Sequence, residues 1–202
     1  MLSSIPCEQC GAALQSRLFC FACSTLQHPP NTLGLYEALG LEESYSIDPP
    51  ALESRFQQLV VELHPDFYTS ADRREQHQSE ISSALLNRAV ETLRDPVSRA
   101  NYLLPRLAQG TPLDERRLPP GFLEEMFVLQ ESLDDLLDSG APEAIGRTRT
   151  ELQERHQTLL SDLPKHFRQA EAATEPEPLQ ALQTTLNAER YLRRLLERFP
   201  QS

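Results

Sequence analysis

Phe56-Gln57-Gln58-Leu59-Val60-Val61-Glu62-Leu63-His64-Pro65-Asp66-Phe67-Tyr68 is the stretch where one apolar-periodic helix must stop and a second has not yet begun. Upstream, Leu52, Phe56, Leu59, Val60 and Leu63 recur at helical spacing, with Asp48 placed to act as N-cap and Pro49 and Pro50 at the helix entrance. Pro65 disfavours the α region for His64, so the helix is expected to end near Leu63 and the chain to enter a loop. The segment from Phe67 to about Gln76 is largely polar. Ile81, Leu85, Leu86, Ala89 and Leu93 then rebuild an apolar stripe before Asp95-Pro96 punctuates the next turn. The pattern predicts an antiparallel helical hairpin with His64-Pro65-Asp66 at its tip. Taken alone, the tripeptide is an ordinary proline-enforced turn, expected by chance on the order of once in a hundred chains of this size.

A His-Pro-Asp loop between two such helices resembles the signature of J-domains, co-chaperone modules that stimulate ATP hydrolysis by DnaK-type chaperones. The flanks agree: residues 31–40, Asn31-Thr32-Leu33-Gly34-Leu35-Tyr36-Glu37-Ala38-Leu39-Gly40, are similar to the short first helix of that module, and residues 86–96 to its third. The resemblance implies that His64, Pro65 and Asp66 contact the chaperone. The helix before the tripeptide usually offers a basic face in this family, whereas here Arg55 stands nearly alone, with Arg73, Arg74 and Arg88 as further nearby cations.

Composition narrows the classes. The 202 residues carry a net charge of −11, which opposes binding to phosphate backbones and anionic lipid surfaces, so neither nucleic acid nor membrane is an expected partner. An apolar fraction of 39% is low for one compact globule and suits two small helical units, and the 16 prolines cluster at helix boundaries. No apolar run is long enough to span a bilayer, and the N-terminus lacks a charged n-region and an apolar h-region, so a soluble, cytoplasmic protein is expected.

The four cysteines form two C-x-x-C pairs, Cys7/Cys10 and Cys20/Cys23, across a short loop containing Gly11. Each pair can act as a knuckle presenting two thiolates, and together they complete a closed tetrahedral site. Zinc is the expected ion, because four soft thiolates suit it and a structural site needs no open position; iron in a rubredoxin-like site is the second choice. A disulfide or redox-active pair is the alternative. Residues 1–28 hold too few apolar groups to fold alone, so bound metal is expected to supply the folding free energy. Phe19 and Phe21 flank Cys20, either to pack on the knuckle or to remain available to a partner.

In the C-terminal half, Phe122, Met126, Leu129, Leu133 and Leu137 fall on one helical face as a core stripe. Leu123 and Phe127 lie off it and, with Glu124, Glu131 and Asp135, form a second face that is acidic with apolar residues at one end. A second helix carries Ile145, Leu152, Leu159 and Leu163 before Pro164, which is expected to kink or end it. Leu179, Leu182, Leu186, Tyr191, Leu192, Leu195, Leu196 and Phe199 mark a third, and three antiparallel helices make a bundle.

Residues 122–136 resemble the scaffold-binding helix of the HscB family, the J-proteins of iron-sulfur cluster biogenesis. Residues 94–104 are similar to that family's segment between J-domain and bundle, residues 189–195 to its last helix, and the cysteine knuckles followed by Leu26-Gln27-His28-Pro29-Pro30 to the extension on its mitochondrial version. The resemblance implies an all-α fold: a J-domain hairpin and a C-terminal three-helix bundle, preceded by a small tetracysteine knuckle. The corresponding segments are residues 1–28, 31–105 and 118–202. It also implies a DnaK/HscA-type chaperone and an IscU-type scaffold as partners, with the scaffold contacting Leu123, Glu124, Phe127, Val128, Glu131, Asp135 and Tyr191. Glu124 and Val128 depart from the family's usual apolar and acidic types at those positions. No residue is then required to perform covalent chemistry. Two other readings remain open at this point: a J-domain protein serving a different client, and an enzyme using His64 and Asp66 as a general-base or metal pair with the cysteines as a redox centre. The second lacks a glycine-rich phosphate loop or a nucleophile elbow.

Overall fold

A computed structural model describes residues 5–28, 30 and 32–200; Pro29 and Asn31, named above, lie outside the described residues. The chain divides into two compact units, residues 1–99 and residues 100–202. The first begins with a hairpin of β1 (Phe19–Cys20) and β2 (Thr25–Leu26), paired antiparallel with Phe19 opposite Leu26. Helices α1 (Leu35–Leu39), α2 (Pro49–Glu62) and α3 (Arg73–Arg94) follow, with a 3-10 turn at Pro65–Tyr68 between the last two.

Helix α2 starts where the sequence places it. Asp48 is the N-cap residue in extended conformation with proline in the first turn, although its side chain makes no capping bond. Its other end explains a departure from the expected stripe. Ile81 is exposed, while Ser79 and Ser82 are fully buried. The hydroxyls of Ser79 and Ser83 each donate to the Leu63 carbonyl at 2.7 Å, satisfying an acceptor orphaned where α2 stops. Polar residues therefore occupy the start of the α3 seam, and the apolar stripe takes over at Leu86, Ala89, Val90 and Leu93. Helix α3 begins at Arg73 because the Asp72 carboxylate accepts from the Arg74 and Glu75 backbone N–H groups at 2.8 and 2.9 Å.

The cysteine segment is fastened to these helices. The buried Ser16 hydroxyl donates to the Ala38 carbonyl at 2.7 Å, Arg55 donates to the Gln15 side chain at 3.2 Å, and the His28 ring meets Gln78 at 3.0 Å. Gly40 closes α1 at φ 68°, and a Cβ there would overlap the Gln15 carbonyl. Only glycine meets both demands. Leu18 and Phe19 join Tyr36, Leu39, Leu59, Leu63, Leu86 and Leu93 among the residues almost wholly removed from solvent.

Helix α4 (Pro96–Ala108) starts directly after Asp95, whose carboxylate accepts from the Ser98 N–H at 2.6 Å. The second unit is a bundle of α5 (Phe122–Ser139), α6 (Pro142–Glu171) and α7 (Glu177–Leu196), joined by loops short enough to demand antiparallel neighbours. Phe122, Met126, Leu133, Leu152, Leu192, Leu195 and Phe199 form one core cluster, against which Leu129 and Leu137 pack. Pro164 does not end α6, which continues to Glu171. Leu163, Phe167 and Ala170 are buried on either side of it, and that packing outweighs the one hydrogen bond the proline removes. Buried Asn187 is satisfied by donating to the Arg117 carbonyl at 2.9 Å, and Gln180 bonds Asp114 twice, so the loop before α5 is tied to α7. Among the described residues, no helix is long and apolar enough to cross a membrane.

Candidate functional site

Three groups of side chains carry the functional expectations. The first is the turn after α2. His64 caps the 3-10 turn: its Nδ1 accepts from the Asp66 N–H at 3.2 Å, and its carbonyl accepts from the Phe67 N–H at 3.0 Å. The Asp66 side chain is 85% exposed and that of His64 51%, so both are presented to solvent. Tyr68 anchors the turn from below by donating to the Glu62 carbonyl at 2.8 Å; burial lifts its phenol above the usual tyrosine range, with Glu62 and Glu75 adding to the shift. The Asp66 carboxylate lies 3.6 Å from His64 Nδ1, and among the described residues the two belong to no group of three or more side chains placed to hold a metal. Phe67, 68% exposed beside the His64 ring, was not singled out from sequence, although a large aromatic directly after Asp66 was a visible signal.

The second group is the thiolate cluster. Cys7, Cys10, Cys20 and Cys23 bring their four sulfurs within 4.8 Å of one another. The Cys7–Cys23 and Cys10–Cys20 separations are both 3.7 Å. A disulfide needs about 2.05 Å, whereas four thiolates at zinc's bond length of about 2.3 Å sit about 3.8 Å apart along tetrahedron edges. The donor set and its spacing therefore fit one metal ion. Local geometry builds the knuckles: Gly11 turns at φ 73° and Ser24 at φ 54°, and the Gln9 N–H donates to the Cys7 sulfur at 3.4 Å. Backbone hydrogen bonding from Cys10, against the cost of burial and assisted by Gln9 and the neighbouring thiols, draws Cys7 down to about 6. The Thr25 hydroxyl pulls Cys23 down, yet burial and the three neighbouring sulfurs together push it up to about 12. Four crowded thiols cannot all ionise without a cation among them. Phe19 packs inside at 2% exposure, while Phe21 stays 38% exposed with its ring edge-on to Phe19.

The third group lies on the bundle. Leu123 and Phe127 are 56% and 62% exposed, and with Tyr191 they line a groove of about 430 Å³ between α5 and α7, floored by Met126 and Leu195 and edged by Arg194 and Arg198. Tyr191 is held edge-on against Phe122 at 6.1 Å. Glu124 and exposed Val128 line a different groove, of about 550 Å³, between α5 and α6. Glu131 and Asp135 are exposed on α5 and line neither of these two grooves. The seven positions expected from sequence are thus divided. Leu123, Phe127 and Tyr191 converge, and the two that depart from the family pattern face the other flank. Sequence reading missed the arginine edge and the buried Glu189, whose carboxylate meets His156 at 3.0 Å and Arg193 at 3.6 Å.

Comparison with known proteins places the chain. A family model described as the HSCB C-terminal oligomerisation domain matches residues 118–199. A co-chaperone protein HscB homolog from Aliivibrio salmonicida is 30% identical over 138 residues, covering 63% of this chain and 81% of that protein. The chain belongs to the HscB co-chaperone family. The mouse iron-sulfur cluster co-chaperone protein HscB is 32% identical over 150 residues, 70% of this chain and 63% of its own length. The match thus spans just under two thirds of that relative. The crystal structure of human co-chaperone protein HscB superposes with a TM-score of 0.76 at 26% identity, covering 96% of both chains. The expected HscB-type architecture, mostly helical with clustered cysteines near the N-terminus, is what the structure contains.

Proposed function

We propose that this HscB-family protein stimulates the ATPase of a DnaK/HscA-type chaperone and delivers an IscU-type iron-sulfur scaffold to it, promoting cluster transfer. The observation that carries this reading is the separation of two presented surfaces: an exposed His64-Pro65-Asp66 turn in one compact unit and the Leu123, Phe127 and Tyr191 groove in the other. The first supplies a charged contact at Asp66 on a loop shaped by Pro65. Stimulation follows if that contact is stronger in the chaperone state that favours hydrolysis. The second raises the client's effective concentration beside the chaperone. The chain itself performs no covalent step.

Cys7, Cys10, Cys20 and Cys23 would hold a single zinc ion, which supplies folding free energy to the N-terminal knuckle. The test is ATP turnover by a purified HscA-type chaperone with and without scaffold. Asp66→Asn is expected to abolish stimulation and to leave scaffold binding intact; unchanged stimulation by that variant would remove the reading.

A further inference from the structure

We propose that Arg194 is a specificity-determining residue of the groove between α5 and α7: its guanidinium receives a carboxylate that the client scaffold carries beside the apolar side chain seated on Leu123, Phe127 and Tyr191. This deepens the function proposed above and rests on it.

Leu123, Phe127 and Tyr191 wall the groove above buried Met126 and Leu195, and its charge comes from arginines of the α7 end. Those arginines are not equivalent. Arg193 faces the buried Glu189 carboxylate at 3.6 Å, and Arg198 is bound by Asp134 of α5. Arg194 is exposed and, among the described residues, makes no ion pair and no side-chain hydrogen bond. Arg190, four positions earlier on the same helix face, is exposed and equally without a partner among the described residues, so two like charges repel there. The C-terminal end of a helix favours cations in its last turn, where Arg194 stands, but supplies no discrete anion. Asp and Glu outnumber Lys and Arg by 30 to 19 in this chain, yet none of those carboxylates turns to Arg194. Its counter-ion therefore comes from whatever fills the groove, which on the reading above is the scaffold.

The surrounding charge makes this contact selective. Glu124, Glu131 and Asp135 are exposed on α5 and lie outside the groove. A client carboxylate directed toward them meets repulsion, whereas one directed toward Arg194 meets a planar fork able to hold both of its oxygens. Attraction at the α7 edge and repulsion along α5 fix which way round the client lies, a use of charge that serves specificity more than affinity. The apolar walls exclude water beside the pair, the setting in which arginine and tyrosine carry binding energy.

The experiment measures, by calorimetry, binding of a purified IscU-type scaffold to the full chain. Arg194→Glu is expected to weaken binding about tenfold or more, and Arg194→Lys, which keeps the charge and loses the fork, to weaken it less. Lys165→Glu, an exposed site on α6 with the same change in net charge, is expected to stay within about twofold of wild type. Raising salt from about 0.1 M to about 1 M should weaken wild type more than Arg194→Ala. Arg194 is exposed, so these variants keep the fold, checked by circular dichroism. If Leu123→Ala with Phe127→Ala loses binding while Arg194→Glu stays within about twofold of wild type, Arg194 does not read the client although the client site stands. Equal weakening by Lys165→Glu and Arg194→Glu would reduce the effect to overall charge and overturn the assignment. If the Leu123 and Phe127 double variant binds as wild type does, the client reading falls, and the role of Arg194 with it.

Discussion

The two compact units solve the same problem by different means. Residues 1–99 assemble elements of very unequal length whose ends are closed by specific bonds: Ser79 and Ser83 on the Leu63 carbonyl, Asp72 on the start of α3, Ser16 on Ala38, and a four-sulfur cluster beside buried Leu18 and Phe19 in the first segment. Residues 100–202 instead stack three long helices on a continuous apolar seam that runs from Phe122 to Phe199. The functional surfaces differ accordingly. The first unit presents a turn, rigid because hydrogen bonds pin it; the second presents the flank of a helix, rigid because the opposite face is buried. A unit built from closures should fail at single points, and a unit built from a seam should tolerate changes on its exposed face.

The largest expected effect breaks this contrast open. Removing metal with a chelator should unfold the cysteine segment and destabilise the first unit, with a loss that can approach the roughly 10 kcal/mol typical of structural zinc. Amide exchange should accelerate across residues 5–28 and at Ala38 to Gly40, which receive the Ser16 bond and the Gln15 approach, while α5 to α7 keep their protection. Equal acceleration in both units would show that the contrast is wrong.

Next in size is Leu123→Ala with Phe127→Ala. Both residues are exposed, so the bundle's melting temperature should hold while affinity for an IscU-type scaffold drops by about 2 kcal/mol or more, measured by calorimetry. Equal binding by wild type and the double variant would move the client site elsewhere. Gly40→Ala should cost about 2 kcal/mol in urea unfolding, from left-handed strain and displacement of the Gln15 carbonyl, whereas Gly110→Ala, also at positive φ but with open space around it, should cost less.

The smallest effect sharpens the picture of the seam's surface. Glu125 and Arg155 form a two-bonded ion pair across α5 and α6, and the Arg155 hydrogen bonds hold the Glu125 carboxyl below the usual glutamate range. A carboxyl depressed in the folded state stabilises above its unfolded pKa of about 4.3, and that stabilisation is lost as pH falls through the lower folded value. Because the pair is half exposed, Glu125→Gln should cost under about 1 kcal/mol at neutral pH and nothing once both states are protonated. A larger loss at low pH than at neutral pH would reverse the assignment.

Much of this was legible in the chain. The α2 boundaries follow from Pro49, Pro50 and Pro65, which act on the backbone next to them, and the Phe122 to Leu137 stripe is a direct consequence of helical period. The exposure of Leu123 and Phe127 was readable for the same reason, since they fall off that stripe. What failed to show were effects requiring two distant segments at once. Ile81 reads as core and is not, because the partner at that level is the polar end of α2. Pro164 reads as a kink or a stop, and it does not stop the helix, because buried Leu163, Phe167 and Ala170 hold both sides in place. Asp72 was a missed local signal, with Glu75 three residues later completing the pattern of a helix start.

Local chemistry by itself determined the helices, the His64-Pro65-Asp66 turn and the four-cysteine donor set, because each depends on residues within a few positions of one another or on fixed ligand types. Only the tertiary structure decided that the four sulfurs gather within 4.8 Å of one another, that Gly40 admits the Gln15 carbonyl, that Phe67 is left exposed, and that Leu123, Phe127 and Tyr191 line one groove, Glu124 and Val128 another, and Glu131 and Asp135 neither. Those facts depend on how separately formed elements meet, and periodicity along one helix carries no record of what packs beside it.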